Sequence, residues 1–160
     1  MALRPIKLMR TVLPTTVVGA DSNPTTSAAP AIARTAVSFI TGSLANNAIE
    51  NDSVTISKTF QLLMLTVSAY ARVRLYSTAA ARTADANRPV GVPVTPGSMS
   101  GLIADVSMTI ALGVQTWMMS PAATGCNDDA APSPTIYAAV TNLSGATTTI
   151  TVTLTYLPLE

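Results

Sequence analysis

Arg72, Arg74 and Tyr76 alternate along the segment ARVRLY, and Arg82, Asp85 and Arg88 follow a little further on. This is the densest group of polar side chains in the sequence, and it admits two chemistries. Guanidinium forks match carboxylates and phosphates two hydrogen bonds at a time, and an aromatic face beside them suits a sugar ring or a cation. The group could therefore contact an anion or a glycan. It could equally form an internal network that ties a helix to a sheet through Asp85 and Asp105. The internal network is the expected arrangement, because the acids it needs are close in sequence. Asp85 stands three residues from both Arg82 and Arg88, a spacing that makes them neighbours on a helix.

Catalytic chemistry finds little to work with. The chain contains no histidine, which removes the usual general base and every Ser-His or Cys-His mechanism. Its single cysteine, Cys126, cannot build a thiolate zinc site and has no cationic neighbour in sequence to activate it. Gly97-Ser98-Met99-Ser100-Gly101 has the outline of a nucleophile elbow with methionine where serine is required. Asp105 and Asp128-Asp129 are the candidates for a carboxylate pair, and Asn127-Asp128-Asp129 for oxygen ligands to Ca²⁺. An arginine partner for Asp105 and a solvated turn at 127–129 are the expected roles. No enzyme activity, cofactor or metal is expected. With few aromatics and no basic stripe, neither is nucleic-acid binding.

The elements that would position these residues read as β-structure from Phe39 onward. Val54 and Ile56 alternate with Thr55 and Ser57 in a half-buried strand. Gln61–Val67 is apolar on both faces, as in a central strand. In Ala71–Tyr76 the arginines and tyrosine point one way, Val73 and Leu75 the other. Ser77 or Thr78 caps a helix that runs to Arg88, where Pro89 stops it. Residues 89–101 form a loop, and Leu102–Val106 and Met108–Met119 form strands, the latter with a bulge at Gly113. Residues 120–134 form a second loop. Trp117, Met118 and Met119 are expected in the core, although tryptophan and methionine are also enriched at interface centres. At the C-terminus, alternation in Ile136–Val140, a turn at 142–146 and five alternate threonines in 147–157 predict a hairpin. The expected fold is all-β: an antiparallel β-sandwich, jelly-roll-like or immunoglobulin-like, over residues 36–160, with one short helix.

Residues 1–35 read instead as an extended N-terminal arm. Pro5, Pro14, Pro24 and Pro30 punctuate it, and Leu3, Arg4, Ile6, Lys7, Leu8, Met9, Arg10 and Leu13 give it a basic and apolar character. Such a segment buries too little by itself to offset its ordering entropy, so a neighbouring subunit is expected to hold it, in a groove or as an added strand. The whole chain is 48% hydrophobic and only 11% charged, with a net charge of +1. That leaves unusually little charge to solvate a surface. A membrane span does not account for it: Leu102–Met119 is the best apolar stretch, and Asp105, Gln115 and several hydroxyl residues interrupt it. Coverage by other protein does. Val17-Val18-Gly19-Ala20 after three basic residues has the outline of a signal peptide, but Pro14 and flanking threonines break its apolar run. Production in the cytoplasm without such a peptide is expected.

The segment Ala71-Arg72-Val73-Arg74-Leu75-Tyr76-Ser77-Thr78-Ala79-Ala80-Ala81-Arg82, with Asp85 and Arg88-Pro89 after it, resembles small proteins encoded near tail and baseplate genes of tailed phages. The ending, Thr141-Asn142-Leu143 and Thr153-Leu154-Thr155-Tyr156-Leu157, is similar too. The likeness spans roughly Phe39 to Glu160 and leaves the arm unmatched. It implies a single β-sandwich domain and a virion structural component, and it transfers no active site. A tail-associated subunit (baseplate, fibre or adaptor) is the first expectation and a capsid decoration protein the second. A receptor- or glycan-binding module comes third. The expected partners are copies of the chain itself, as a trimer or hexamer, and neighbouring phage structural proteins.

Overall fold

A computed structural model describes residues 32–94, 101–108 and 113–160. The arm positions Leu3 to Leu13 lie outside the described residues. The body, Ile32 to Glu160, forms one compact unit. Its strands are β1 (Thr35–Ile40), β2 (Ile49–Thr55), β3 (Thr59–Val67), β4 (Ala71–Tyr76), β5 (Leu102–Ser107), β6 (Gln115–Cys126), β7 (Thr135–Asn142) and β8 (Thr151–Pro158), with helix α1 (Ala79–Ala84) between β4 and β5.

The pairing follows a simple rule. β1 pairs with β8, β2 with β7, β3 with β6 and β4 with β5, all antiparallel. The first half of the chain thus lies against the second half as a long folded ribbon. The ribbon then wraps so that β8 also meets β3 and β7 also meets β4. The result is two four-stranded sheets, β1-β8-β3-β6 and β2-β7-β4-β5. This is the strand order of a jelly roll rather than of the immunoglobulin alternative.

Alternation explains the core. Phe60, Leu62, Leu65 and Val67 of β3, Val73 and Leu75 of β4, Ile136, Ala138 and Val140 of β7, and Val152 and Leu154 of β8 are all fully buried between the sheets. Burying each large side chain contributes about 1.5–3 kcal/mol. Phe60 meets Tyr156 edge-on, with ring centroids 6.1 Å apart. Gly125 lies opposite Phe60 in the ladder. A Cβ there would come within 2.5 Å of the Phe60 ring, so the ring takes the place of a side chain.

Several sequence expectations are corrected. The C-terminal strands are not a hairpin: β7 and β8 lie in different sheets. Both bury one face in the same core, so their alternation looks the same whether they pair or face each other. Asn142 holds the crossing in place. It is fully buried, its amide nitrogen donates to Leu44 O and Ala146 O, and its Oδ1 accepts from Ser144 N.

β6 begins at Gln115 and continues to Cys126, through positions expected to be loop. Pro121, read in the sequence as a breaker, sits in an edge strand, where its missing N–H costs no ladder bond. Its peptide with Ser120 is cis, and the β3–β6 register shifts nearby between Leu62 and Met64. That shift also explains why β3 looks apolar on both faces: the core-facing phase changes within the strand, from Phe60 and Leu62 to Leu65 and Val67. Gly113 precedes β6 rather than bulging it.

Trp117 and Met118 are not core residues. They are 47% and 63% exposed, while Met119 packs partly against the core. The helix is also shorter than expected. Thr78 Oγ1 caps it by accepting from Ala81 N at 3.0 Å, and it ends at Ala84 with Asp85 as the C-cap. The residue before a proline disfavours the helical region, so Arg88 cannot extend it into Pro89.

Candidate functional site

β4 is the centre of the polar group. All six of its residues are buried, because α1 and the segment after it cover the face that the core does not. Val73 and Leu75 enter the core, and Arg72, Arg74 and Tyr76 point the other way, beneath that cover. The cover is fastened by arginine–carboxylate bonds. Arg72 Nε and Nη2 clamp the two oxygens of Asp105 at 2.8 and 2.7 Å, and its Nη1 donates to Arg88 O at 2.9 Å. Arg88 Nε and Nη2 clamp Asp85 at 2.6 and 2.8 Å. Arg88 Nη1 donates to Val92 O and lies 2.6 Å from Asp105 Oδ2. Arg74 Nη1 donates to Asp85 O at 2.6 Å and meets Oδ2 at 3.2 Å. Tyr76 donates its hydroxyl to Asp85 Oδ2 at 2.6 Å.

The electrostatics follow from this geometry. Burial alone pushes the Asp85 carboxyl up. The hydrogen bonds from Arg88 and Tyr76, with the charges of Arg88 and Arg74, outweigh burial and bring it down to about 2. Asp105 shows the same contest and the same outcome: burial raises it, and bonds to Arg72 and Arg88 bring it below the usual carboxylate range. Tyr76 moves up, chiefly because it is buried and then because it donates to Asp85. Arg88 is held protonated most of all by its bond to Asp85, against burial. Two donors of the group, Arg74 Nε and Nη2, are buried without a partner.

Five of the six predicted residues, Arg72, Arg74, Tyr76, Asp85 and Arg88, thus meet, and Asp105 joins them. Arg82 stands apart. Its guanidinium donates to Asp52 O at 2.6 Å and lies 5.3 Å above the Tyr137 ring, not against Asp85. The ion pair at that spacing forms between Asp85 and Arg88 instead, beyond the end of α1. Tyr137 in turn donates to Asp129 Oδ2 at 2.7 Å. The sequence signal for this second group is the outward phase of Tyr137 between Ile136 and Ala138.

Asn127 is not a solvated turn residue. It is 5% exposed, and its side chain bridges Asp129, Ser133 and Thr135 to close the β6–β7 loop. Among the described residues, no group of three or more His, Cys, Asp or Glu is placed to hold a metal ion. Cys126, at the end of β6, is exposed.

An open cleft of about 410 Å³ runs beside the network, lined by Arg72, Arg88, Val92, Asp105 and Ser107 among others. The nitrogens of Arg72 and Arg88 that border it already hold carboxylates or backbone carbonyls. A ligand there would have to compete with those bonds.

The opposite face of the sandwich has a different chemistry. None of the four strands β1, β8, β3 and β6 contains an Asp, Glu, Lys or Arg. One cross-strand row on its outer side reads Ser38, Thr153, Thr66, Thr116. Its hydroxyls bond laterally, Ser38 to Thr153 at 2.7 Å and Thr66 to Thr116 at 2.9 Å. The next row reads Ala36, Thr155, Met64, Met118. Exposed Ile40 and Met118 lie on this face and Trp117 at its β6 edge.

A scan against protein-family models finds no match to this chain, and a search of curated proteins finds no significant relative.

Proposed function

We propose that this chain is a non-catalytic structural subunit of a tailed-phage virion, tail-associated as a baseplate, fibre or adaptor component. It assembles with copies of itself, as a trimer or hexamer, and docks through its first 35 residues. The observation that carries this reading is the division of charge between the two sheets. On one sheet Arg72 and Arg74 are bound to Asp105 and to Asp85 of the covering segment, and the other sheet presents four strands with no charge at all. Depletion of charge together with exposed Trp and Met is the compositional mark of an interface; Met118 and Met64 stand on the outer side and Trp117, opposite core-facing Leu65, at the β6 edge. The likeness of 71–82 and of the C-terminal strands to phage tail-region proteins supports the virion setting.

A capsid decoration protein is the second reading, and the strand order favours it, since jelly rolls build viral capsid domains. An architecture does not carry a function by itself. Jelly rolls also build lectins, and the cleft beside Arg72 is where a glycan-binding module would take its ligand.

Quantitative mass spectrometry of purified particles tests the proposal. A tail component is expected at roughly tens of copies and a decoration protein at roughly hundreds, as closed symmetric assemblies of the two kinds require. Absence of the chain from purified particles overturns both.

A further inference from the structure

The two sheets have four edges, and three of them carry features that obstruct pairing with another strand. β2 bears Glu50 and Asp52 in the same phase as core-facing Val54; charges pointing inward along an edge are a known block. β5 bears Asp105, clamped by Arg72 and Arg88. β6 contains Pro121 and a register irregularity. β1 has none of these. Its six residues, TAVSFI, are uncharged, and its ladder to β8 is unbroken from Thr35↔Tyr156 to Ile40↔Thr151. Among the described residues it has a strand partner on one side only.

We propose that the free edge of β1 pairs antiparallel with β1 of a second copy, joining two four-stranded sheets into one of eight. This rests on the self-assembling reading above and supplies its two-fold contact, which by itself makes a dimer and makes a hexamer only together with a three-fold contact. Charge selects the partner. Around a two-fold axis every residue meets its own kind or a near neighbour, and like charges placed directly opposite are destabilising. β2 would set acids against acids, whereas β1 sets nothing charged against itself.

Side-chain facing narrows the register to residue-centred pairings, and Ser38 stands near the middle of the strand. Residues opposite each other in an antiparallel pair point to the same side of the sheet. The axis must therefore pass through a residue, not between two. Placing it at Ser38 puts Ser38 against its copy, Val37 against Phe39 on the core side, and Ala36 against Ile40 on the outer side. Ile40, now 65% exposed, would gain an apolar neighbour. A six-residue strand is only about 20 Å long. The contact falls below the roughly 1,200 Å² of a standard interface, so a weak dimer, micromolar in order of magnitude, is expected.

Sedimentation equilibrium of the full chain over a wide concentration range tests this. The expected result is a monomer–dimer equilibrium that Ser38→Lys weakens at least on the order of tenfold, because it faces two lysines across the axis. Mixing Ser38→Lys with Ser38→Glu should restore the dimer. Amide exchange of wild type at 35–40 should slow as concentration rises, a readout that needs no variant. A wild-type monomer at every concentration overturns the inference, and so does an oligomer indifferent to Ser38→Lys. In the latter case the structural-subunit reading stands. Absence of the chain from particles removes that reading whatever β1 does.

Discussion

The two sheets share one core and differ in the charge their strands carry. In β2-β7-β4-β5 the strands carry Glu50, Asp52, Arg72, Arg74 and Asp105, and α1 with the segment following it covers the central strand. In β1-β8-β3-β6 the strands carry no charge, and α1 packs on β4 and β7 of the other sheet. The same length of sandwich is finished in two ways. One face is closed by α1 and by the segment after it, which ion pairs of Asp85 and Arg88 hold to the sheet. The other keeps rows of threonine and exposed apolar side chains. Among the described residues the arginine–carboxylate pairs thus belong to one side of the sandwich, and the strands of the other side offer none.

The contrast breaks most visibly at Asp85. Its carboxylate accepts from Arg74, Arg88 and Tyr76 while only 3% exposed. Asp85→Ala leaves the fully buried Arg74 uncompensated, and removing one partner of a buried pair costs about 3–5 kcal/mol. Urea unfolding should show that loss as a lowered midpoint. A loss under about 1 kcal/mol would mean that the network only decorates a cover held by packing.

Acid should act on the same sheet. The folded Asp85 carboxyl titrates at about 2, below the ordinary value of about 3.9 for an unfolded chain. Its contribution is therefore present above pH ~4 and lost as pH falls toward ~2. Asp105 is shifted in the same direction and adds to the loss. Stability measured against pH should drop through that window, and Asp85→Asn should flatten the drop. A profile that Asp85→Asn leaves unchanged would place the acid sensitivity elsewhere.

On the uncharged face the smallest effect is expected. Thr66→Ala removes one hydroxyl pair, with Thr116, at an outer position; surface changes of this kind stay within about 0.5 kcal/mol. Thermal melting checks it. A cost near that of Asp85→Ala would make the threonine rows structural and would weaken their reading as a surface kept for partners.

Much of the fold is legible in the residues. β4 occupies the predicted Ala71–Tyr76, with arginines on one side and Val73 and Leu75 on the other, because strict alternation leaves one choice of phase. Thr78, one of two predicted caps, caps the helix. Pro121 misled, because a proline signals a lost donor without saying whether the strand is an edge that can spare it. Trp117 misled for a related reason: its size argued for burial, and its place on edge strand β6 left nothing to bury it.

The polar network was legible in composition but not in its bonds. Asp85 and Arg88 are local in sequence, whereas Asp105 reaches Arg72 only because β4 and β5 pair, with Arg74 and Asp105 in register. Arg82 shows the converse, since sequence spacing promised it Asp85, whose carboxylate is taken by Arg74, Tyr76 and Arg88.

By itself the sequence determined which residues turn toward a core, where most strands lie, and the absence of histidine chemistry. These are local matters, set by side-chain type and a backbone period of two. Only the tertiary structure decided that β7 and β8 part into different sheets, that Asp105 closes the arginine cluster, and that β1, among the described residues, pairs on one side only. Alternation records whether a side chain is inside, and pairing depends on which distant backbone arrives beside it.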